Sequence, residues 1–571
     1  MSAQKTAKSE DMIRSSKRKR ATHDISPERG SKRSKQATSD YLTLLSDELL
    51  LRILTFLPLE VILLVQQLSH RYQTLSTDSQ IWKGLYYTRF VLPRAVRGAR
   101  VGIGKEGGEE RLERVEASRK RWLMEEKLLE WEKSASMGGK TDWKARYRLR
   151  LNWCRGRAEV RRIGLGAEVE NKPIIRMTKG VAITASRTTG LEAWDLKSRT
   201  IHLEAKIASA VLEAEPTSLA IDPSSSSSKI RFMVGSIDGS FEIWCLNVDR
   251  RRTSTSFKKL LQHKSHFLGR GNDLIAVACL YPYTLSISAN QVLSAFILEA
   301  SKDITSPPIT SQKRVPEDEA QNIITPRLLA SLKSHSSWPP IALSIRSTPD
   351  AVMASIAYSM PTYISGWSVG LQELHLSPTT GEVSTSRLAS AIDGGFHSLL
   401  PTIPLPLGQV SSEFISQSDG RGTRLAVPMP SSLSYSHPYL LVGHRDNTLT
   451  LYMVKSDRDS LTISRGTRLW GHTSEILGAS IGEQGKAVSL GAGCRDVRVW
   501  NLEGGRRGRG EEGAGGSVRV QAELADTTDL SDGPDGCDEQ SRGWIGFDDE
   551  YVVVPNNGAN GRSTLLVYDF T

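Results

Sequence analysis

Three arginines stand at one recurring position in this 571-residue chain. Ser186-Arg187, His444-Arg445 and Cys494-Arg495 each come just before a turn into a strand-like run that ends in Trp or Tyr. A guanidinium is a planar fork of N–H donors that matches phosphate oxygens two at a time. Several such forks brought together suit a phosphorylated peptide. The same residues also read as solvated turn arginines, or as partners of nearby acids such as Asp446 and Asp496.

Other chemistry leaves no comparable pattern. There is no P-loop and no H-E-x-x-H. The cysteines Cys154, Cys245, Cys279, Cys494 and Cys537 are dispersed, without Cys-x-x-Cys or His pairs at metal-ligand spacing. They read as reduced thiols of the cytosol or nucleus. No cofactor or metal is expected, and the chain reads as a non-enzyme. Gly102-Ile103-Gly104-Lys105-Glu106-Gly107 matches G-x-G-x-x-G in form only. No strand precedes it and a charged run follows, so it reads as a break before a linker helix over 109–133.

The elements that must position the arginines repeat. From about residue 160, short β-rich runs alternate with Gly, Asn, Asp and Ser. Gly190 to Asp195, Gly239 to Trp244, Asn447 to Tyr452 and Asp496 to Asn501 each give a turn, an alternating strand and a terminal aromatic. This repetition predicts propeller blades, which bury their faces only against neighbours. Seven blades are expected near 185, 232, 280, 350, 440, 485 and 555, those near 280 and 350 being faint. Stretches 301–325, 377–435 and 503–542 read as long loop insertions. A segment such as Val160 to Leu165 is expected to pair with the last strand, Thr564 to Phe570, and close the ring.

Before the repeats the texture is different. Residues 1–40 carry eleven Lys/Arg against five Asp/Glu, about half of the net charge of +11, and read as a disordered basic tail. Lys17, Arg18, Lys19 and Arg20, then Lys32, Arg33 and Lys35, have the spacing of a bipartite nuclear-import signal. Ser26-Pro27 between them is a candidate phosphorylation switch. At 41–90 the spacing of Leu45, Leu49, Ile53, Leu54 and Leu57 predicts a helix capped by Ser46 and stopped by Pro58. Short helices follow to about Phe90, and together they hold more apolar residues than their own core needs. Residues 91–157 read as a basic, helical linker. Apolar runs such as Val61 to Val65 are too short to span a bilayer, and no signal-peptide pattern is present. A soluble intracellular protein is expected.

The run Leu45-Ser46-Asp47-Glu48-Leu49 through Ile53-Leu54 to Leu57-Pro58 resembles the opening of the F-box, with Ser46 where proline is usual. The stretch Leu68-Ser69-His70-Arg71-Tyr72 through Asp78, Ile81-Trp82 and Leu85 is similar to its ending. Leu469-Trp470-Gly471-His472 through Val499-Trp500-Asn501 resembles a WD repeat. Together these resemble the F-box/WD-repeat family, in a divergent, fungal-like form. The fold this implies is multidomain, α plus all-β: a three-helix F-box at 41–90, a linker at 91–157, and a WD40-like β-propeller at 158–571. The resemblance implies a substrate receptor of an SCF-type ubiquitin ligase. Leu45, Leu49, Ile53, Leu57 and Pro58 would bind a Skp-family adaptor, and through it cullin and RING subunits. The propeller would capture a protein substrate, phosphorylated or not, with Arg187, Arg445 and Arg495 contributing to the pocket. His472 would hydrogen-bond inside its blade. The alternative is a nuclear WD-repeat scaffold without ligase function. Membrane and nucleic-acid partners are not expected; the nucleus is the expected compartment, with the cytoplasm second.

The import signal predicts a change of compartment. Alanine at Lys17–Arg20 together with Lys32, Arg33 and Lys35 is expected to move a fluorescent fusion out of the nucleus. Unchanged nuclear enrichment would contradict that assignment.

Overall fold

The structure is a computed structural model. It describes residues 41–91 except 43, 142–165, 173–197, 206–248, 255–264, 271–301, 323–333, 338–348, 351–362, 366–377, 382–391, 429–457, 460–482, 485–492, 496–502, 516–524, 544–557 and 563–571. The basic tail, the import clusters, the expected linker helix at 109–133 and Arg495 lie outside these residues. The chain forms two compact units, Met1–Asp78 and Ser79–Thr571.

In the first unit, helix α1 spans Asp47–Thr55, α2 spans Leu59–Val65 and α3 spans His70–Ser76. Asp47 and Glu48 sit in the first turn of α1, where the helix dipole favours negative charge. Ser46 does occupy the N-cap position, but its side chain makes no cap hydrogen bond, contrary to expectation. Ser69 does cap α3, accepting from the Tyr72 amide at 3.3 Å. Pro58 stands just before α2, where its missing N–H costs nothing. Leu50, Leu54, Ile62 and Leu75 form the small core. Arg71 ties α3 to the start of α1, bonding Asp47 at 2.7 Å and the Leu45 carbonyl at 2.6 Å.

In the second unit, α4 spans Ser79–Tyr86 and continues as a π turn over Tyr87–Val91. Helix α5 spans Trp143–Arg155. Trp82 meets Tyr147 and Tyr86 meets Trp143 edge-on, each with 5.6 Å between ring centres. The C-terminal end of α5 docks on the propeller. Trp153 stacks on Phe570 at 4.1 Å and donates to the Asp549 carbonyl at 2.7 Å, while Asn152 donates to the Phe570 carbonyl at 2.8 Å. Gly156 then turns the chain with φ +69°; a Cβ there would stand 2.3 Å from the Arg519 carbonyl oxygen. Among the described residues no helix is long and apolar enough to cross a membrane.

The remainder is a seven-bladed β-propeller. Seven sheets are found among the described residues. Blades one to six take their strands in chain order, beginning at Ile174, Pro216, Leu274, Trp338, Pro430 and Ile476. Blade seven is composite. Arg157–Gly164 pairs antiparallel with Ser563–Asp569, and Gln521–Leu524 adds parallel on its other side. The expected closure is therefore present. Second strands such as Val181–Ser186 and Tyr439–His444 are buried throughout, because both faces meet a neighbouring blade. Seven apolar cores result, each shared by two consecutive blades. The core containing Ile163, Ile175, Trp194, Val553 and Val567 joins blade seven to blade one.

Parts of the stretches expected as insertions are blade strands: Ile323–Lys333, Val383–Ser390, Pro430–Ser436 and Ser517–Arg519. Val383–Ser390 is the outer strand of blade four, half of it exposed, so its Ser, Thr and Arg residues carry no apolar alternation.

The docked helix generates a test. Trp153→Ala removes a buried indole, its stack and its hydrogen bond, at a cost of about 3–5 kcal/mol. Urea unfolding of the full chain should show that loss, while Cys154→Ala, at the exposed neighbouring position, should leave the midpoint unchanged. Equal midpoints for the two variants would contradict the docking.

Candidate protein-binding faces

Helix geometry sorts the residues of α1. Leu50 and Leu54, one turn apart, point into the core. Leu49 and Ile53, and Phe56 just beyond the helix, follow the i, i+4, i+7 spacing of a separate face, and all three are exposed. Of the residues expected from the sequence, Leu49, Ile53 and Pro58 are exposed, while Leu45 and Leu57 are half-buried. Phe56 was not among them. Its position three residues after Ile53 was the signal that would have found it. Leu63, Leu64 and Leu68 add further exposed apolar surface. Nine of the fifteen large exposed apolar side chains among the described residues lie between 41 and 68. In a unit this small, that concentration marks an interaction surface.

The arginines lie on the propeller. Strands alternate in direction within each blade, so the turns between second and third strands open on the same face as the connections between blades. Arg187 sits in such a turn of blade one, and Arg445 in that of blade five. Both side chains are exposed. Arg187 bonds Glu215 at 3.2 Å, and Arg445 approaches Glu475 at 3.7 Å. Each glutamate precedes the first strand of the following blade, and each gives its backbone carbonyl to a turn amide of that blade, Ile237 and Ala492 respectively. The arginines therefore do have acidic partners, but not the acids next in sequence. Asp446 instead closes its own turn, accepting from the Thr448 amide at 3.1 Å and hydroxyl at 2.5 Å. Arg187 and Arg445 engage different carboxylates on separate blades. Glu215 and Glu475 were missed because each lies about one blade further along the chain.

One buried set has the geometry of nucleophilic catalysis. His472 Nε2 lies 2.5 Å from Ser489 Oγ, and its Nδ1 lies 2.7 Å from Asp496 Oδ2. Trp500 Nε1 also donates to Ser489 Oγ, at 2.7 Å. Ser489 is fully buried and its oxygen is already engaged by two groups, so nothing reaches it as an electrophile. The set ties the connection leading into blade six to the blade's second strand, Lys486–Gly491, and third strand, Val497–Asn501. Burial pushes the His472 imidazole below its ordinary 6.5, and the Asp496 bond does not reverse this. Arg498 and Arg519 already flank that carboxylate.

Residues 158–571 match the family model described as the F-box protein pof12 beta-propeller. The chain belongs to that family. Over 93 residues, 16% of this chain, it is 28% identical to the F-box protein pof12 of Schizosaccharomyces pombe (strain 972 / ATCC 24843). The aligned stretch spans 21% of that relative's length. Two solved structures are similar at low level. Sqt1 from Chaetomium thermophilum is 12% identical with a TM-score of 0.36, and the Cps50 (Swd1) β-propeller domain of Myceliophteria thermophila is 10% identical with a TM-score of 0.34. Each match covers 72% of this chain and 98% of the other.

Two outcomes follow from the geometry. Arg187→Ala and Arg445→Ala should each cost less than about 1 kcal/mol in unfolding experiments, since exposed ion pairs contribute little. A loss above about 2 kcal/mol would assign them a structural role. His472 gives a pH dependence. Below pH 6.5 the unfolded chain takes up a proton at this histidine that the folded blade resists, so stability falls as pH drops towards the folded value. Between pH 7.5 and 5.5 the melting temperature should fall less steeply for His472→Gln than for the parent chain. Parallel slopes would contradict the buried neutral imidazole.

Proposed function

We propose that the chain is the substrate-recognition subunit of an SCF-type ubiquitin ligase. The carrying observation is the exposed apolar face of Leu49, Ile53 and Phe56 in a chain of the pof12 propeller family. An apolar helix face of this kind suits a groove on a Skp-family adaptor, with Pro58 and the half-buried Leu45 and Leu57 at its margin. The adaptor would connect to cullin and RING subunits. The propeller would hold the substrate and raise its local concentration beside the charged conjugating enzyme. No residue of this chain is assigned a chemical step, and no cofactor. Arg187, Arg445 and Arg495 are proposed as anion-binding groups for a phosphorylated substrate, working in the nucleus.

Co-purification tests this reading. The parent chain should bring down the adaptor and cullin; Leu49→Asp with Ile53→Asp should lose both by more than about tenfold while propeller partners stay bound. Propeller partners without any cullin would overturn the ligase reading in favour of a scaffold.

A further inference from the structure

Six large apolar side chains are exposed among the described residues of the propeller. Leu328 and Leu388 lie in outer strands. The other four, Val211, Ile237, Met429 and Trp470, all lie in turns or blade connections on the face that carries Arg187 and Arg445. Trp470 is the largest, with 67% of its surface open to solvent. It follows the outer strand Thr467–Leu469 of blade five. Leu469 stands opposite Leu449, which sets Trp470 beside the end of the turn that holds Arg445. Arg468 lies two residues back, on the same side of the strand as Trp470.

The charges beside the indole are loosely held. Arg445 is 3.7 Å from Glu475 and Arg468 is 3.9 Å from Asp446, both beyond hydrogen-bond length. Exposed pairs of this kind exchange partners readily. By contrast, Arg187 near Val211 is hydrogen-bonded to Glu215. Tryptophan and arginine are the side chains that most often anchor a protein interface.

We propose that Trp470 is the apolar anchor of a subsite for a phosphorylated protein segment. The segment lays an apolar side chain on the indole, and its phosphate takes Arg445 and Arg468 from their carboxylates. This rests on the substrate-receptor reading above and adds to it: the recognised segment carries an apolar residue within a few positions of the phosphate.

The test uses the full chain bound to its adaptor and synthetic peptides with a fixed phosphoserine. An apolar residue or serine is placed at each position from three before to three after it. The expected result is binding that requires phosphate and gains about tenfold from one apolar position. Trp470→Ala should remove that gain and keep the phosphate requirement, Trp470→Phe should restore part of the gain, and Arg445→Glu should abolish binding. A phosphate requirement with no apolar preference, or a preference untouched by Trp470→Ala, overturns the anchor and leaves the phosphopeptide reading standing. Equal binding of unphosphorylated peptides overturns both. Self-association of the parent chain that Trp470→Ala abolishes would show the occupant to be a second copy, which also overturns the proposal.

Discussion

The propeller depends on the pairing of Arg157–Gly164 with Ser563–Asp569. No blade buries both of its faces without neighbours, so the seven inter-blade cores act as one cooperative set only when the ring is closed. This antiparallel pair joins residues some four hundred positions apart and supplies the last two cores. Val552, Val554 and Phe570 pack against blade six, and Tyr551, Val553 and Val567 against blade one. The same blade receives Trp153 from α5. Closure of the ring and attachment of the linker helix are thus one piece of packing.

That arrangement sets what the apolar residues of the propeller are free to do. The propeller uses its apolar residues between blades and leaves few exposed, so those few are informative about binding. The first unit has the opposite character. Among its described residues four apolar side chains are buried, while Tyr41, Phe56 and several leucines face outward. Neither unit needs reactive chemistry for such a role. Even the Ser489–His472–Asp496 set serves cohesion of a blade, because burial closes the serine off from any substrate.

Much of this was legible in the sequence, and the gaps have physical causes. Blades one, two, five and six announce themselves because a turn residue precedes a strand ending in Trp or Tyr. Blade four does not. Its third strand ends Leu374-His375-Leu376, and a buried Glu373 replaces the aromatic device, accepting from Arg346 at 2.6 Å and from Ser456 of blade five at 2.6 Å. Outer strands such as Val383–Ser390 looked like loop because half their surface faces water. At the candidate sites, the spacing grouped Leu54 with Leu49 and Ile53, whereas the folded unit buries Leu54 beside Leu50 and leaves Leu49 and Ile53 exposed. The arginine partners stayed hidden, since Glu215 and Glu475 reach the turns only through the stacking of successive blades.

The proposed function divides labour between an adaptor-binding first unit and a substrate-binding propeller. Hydrogen exchange of the full chain with and without a purified Skp-family adaptor tests that division directly. New amide protection is expected within residues 44–68 and none on the propeller face that carries Arg187, Arg445 and Trp470. Protection on that face, or an unchanged pattern over 44–68, would contradict it.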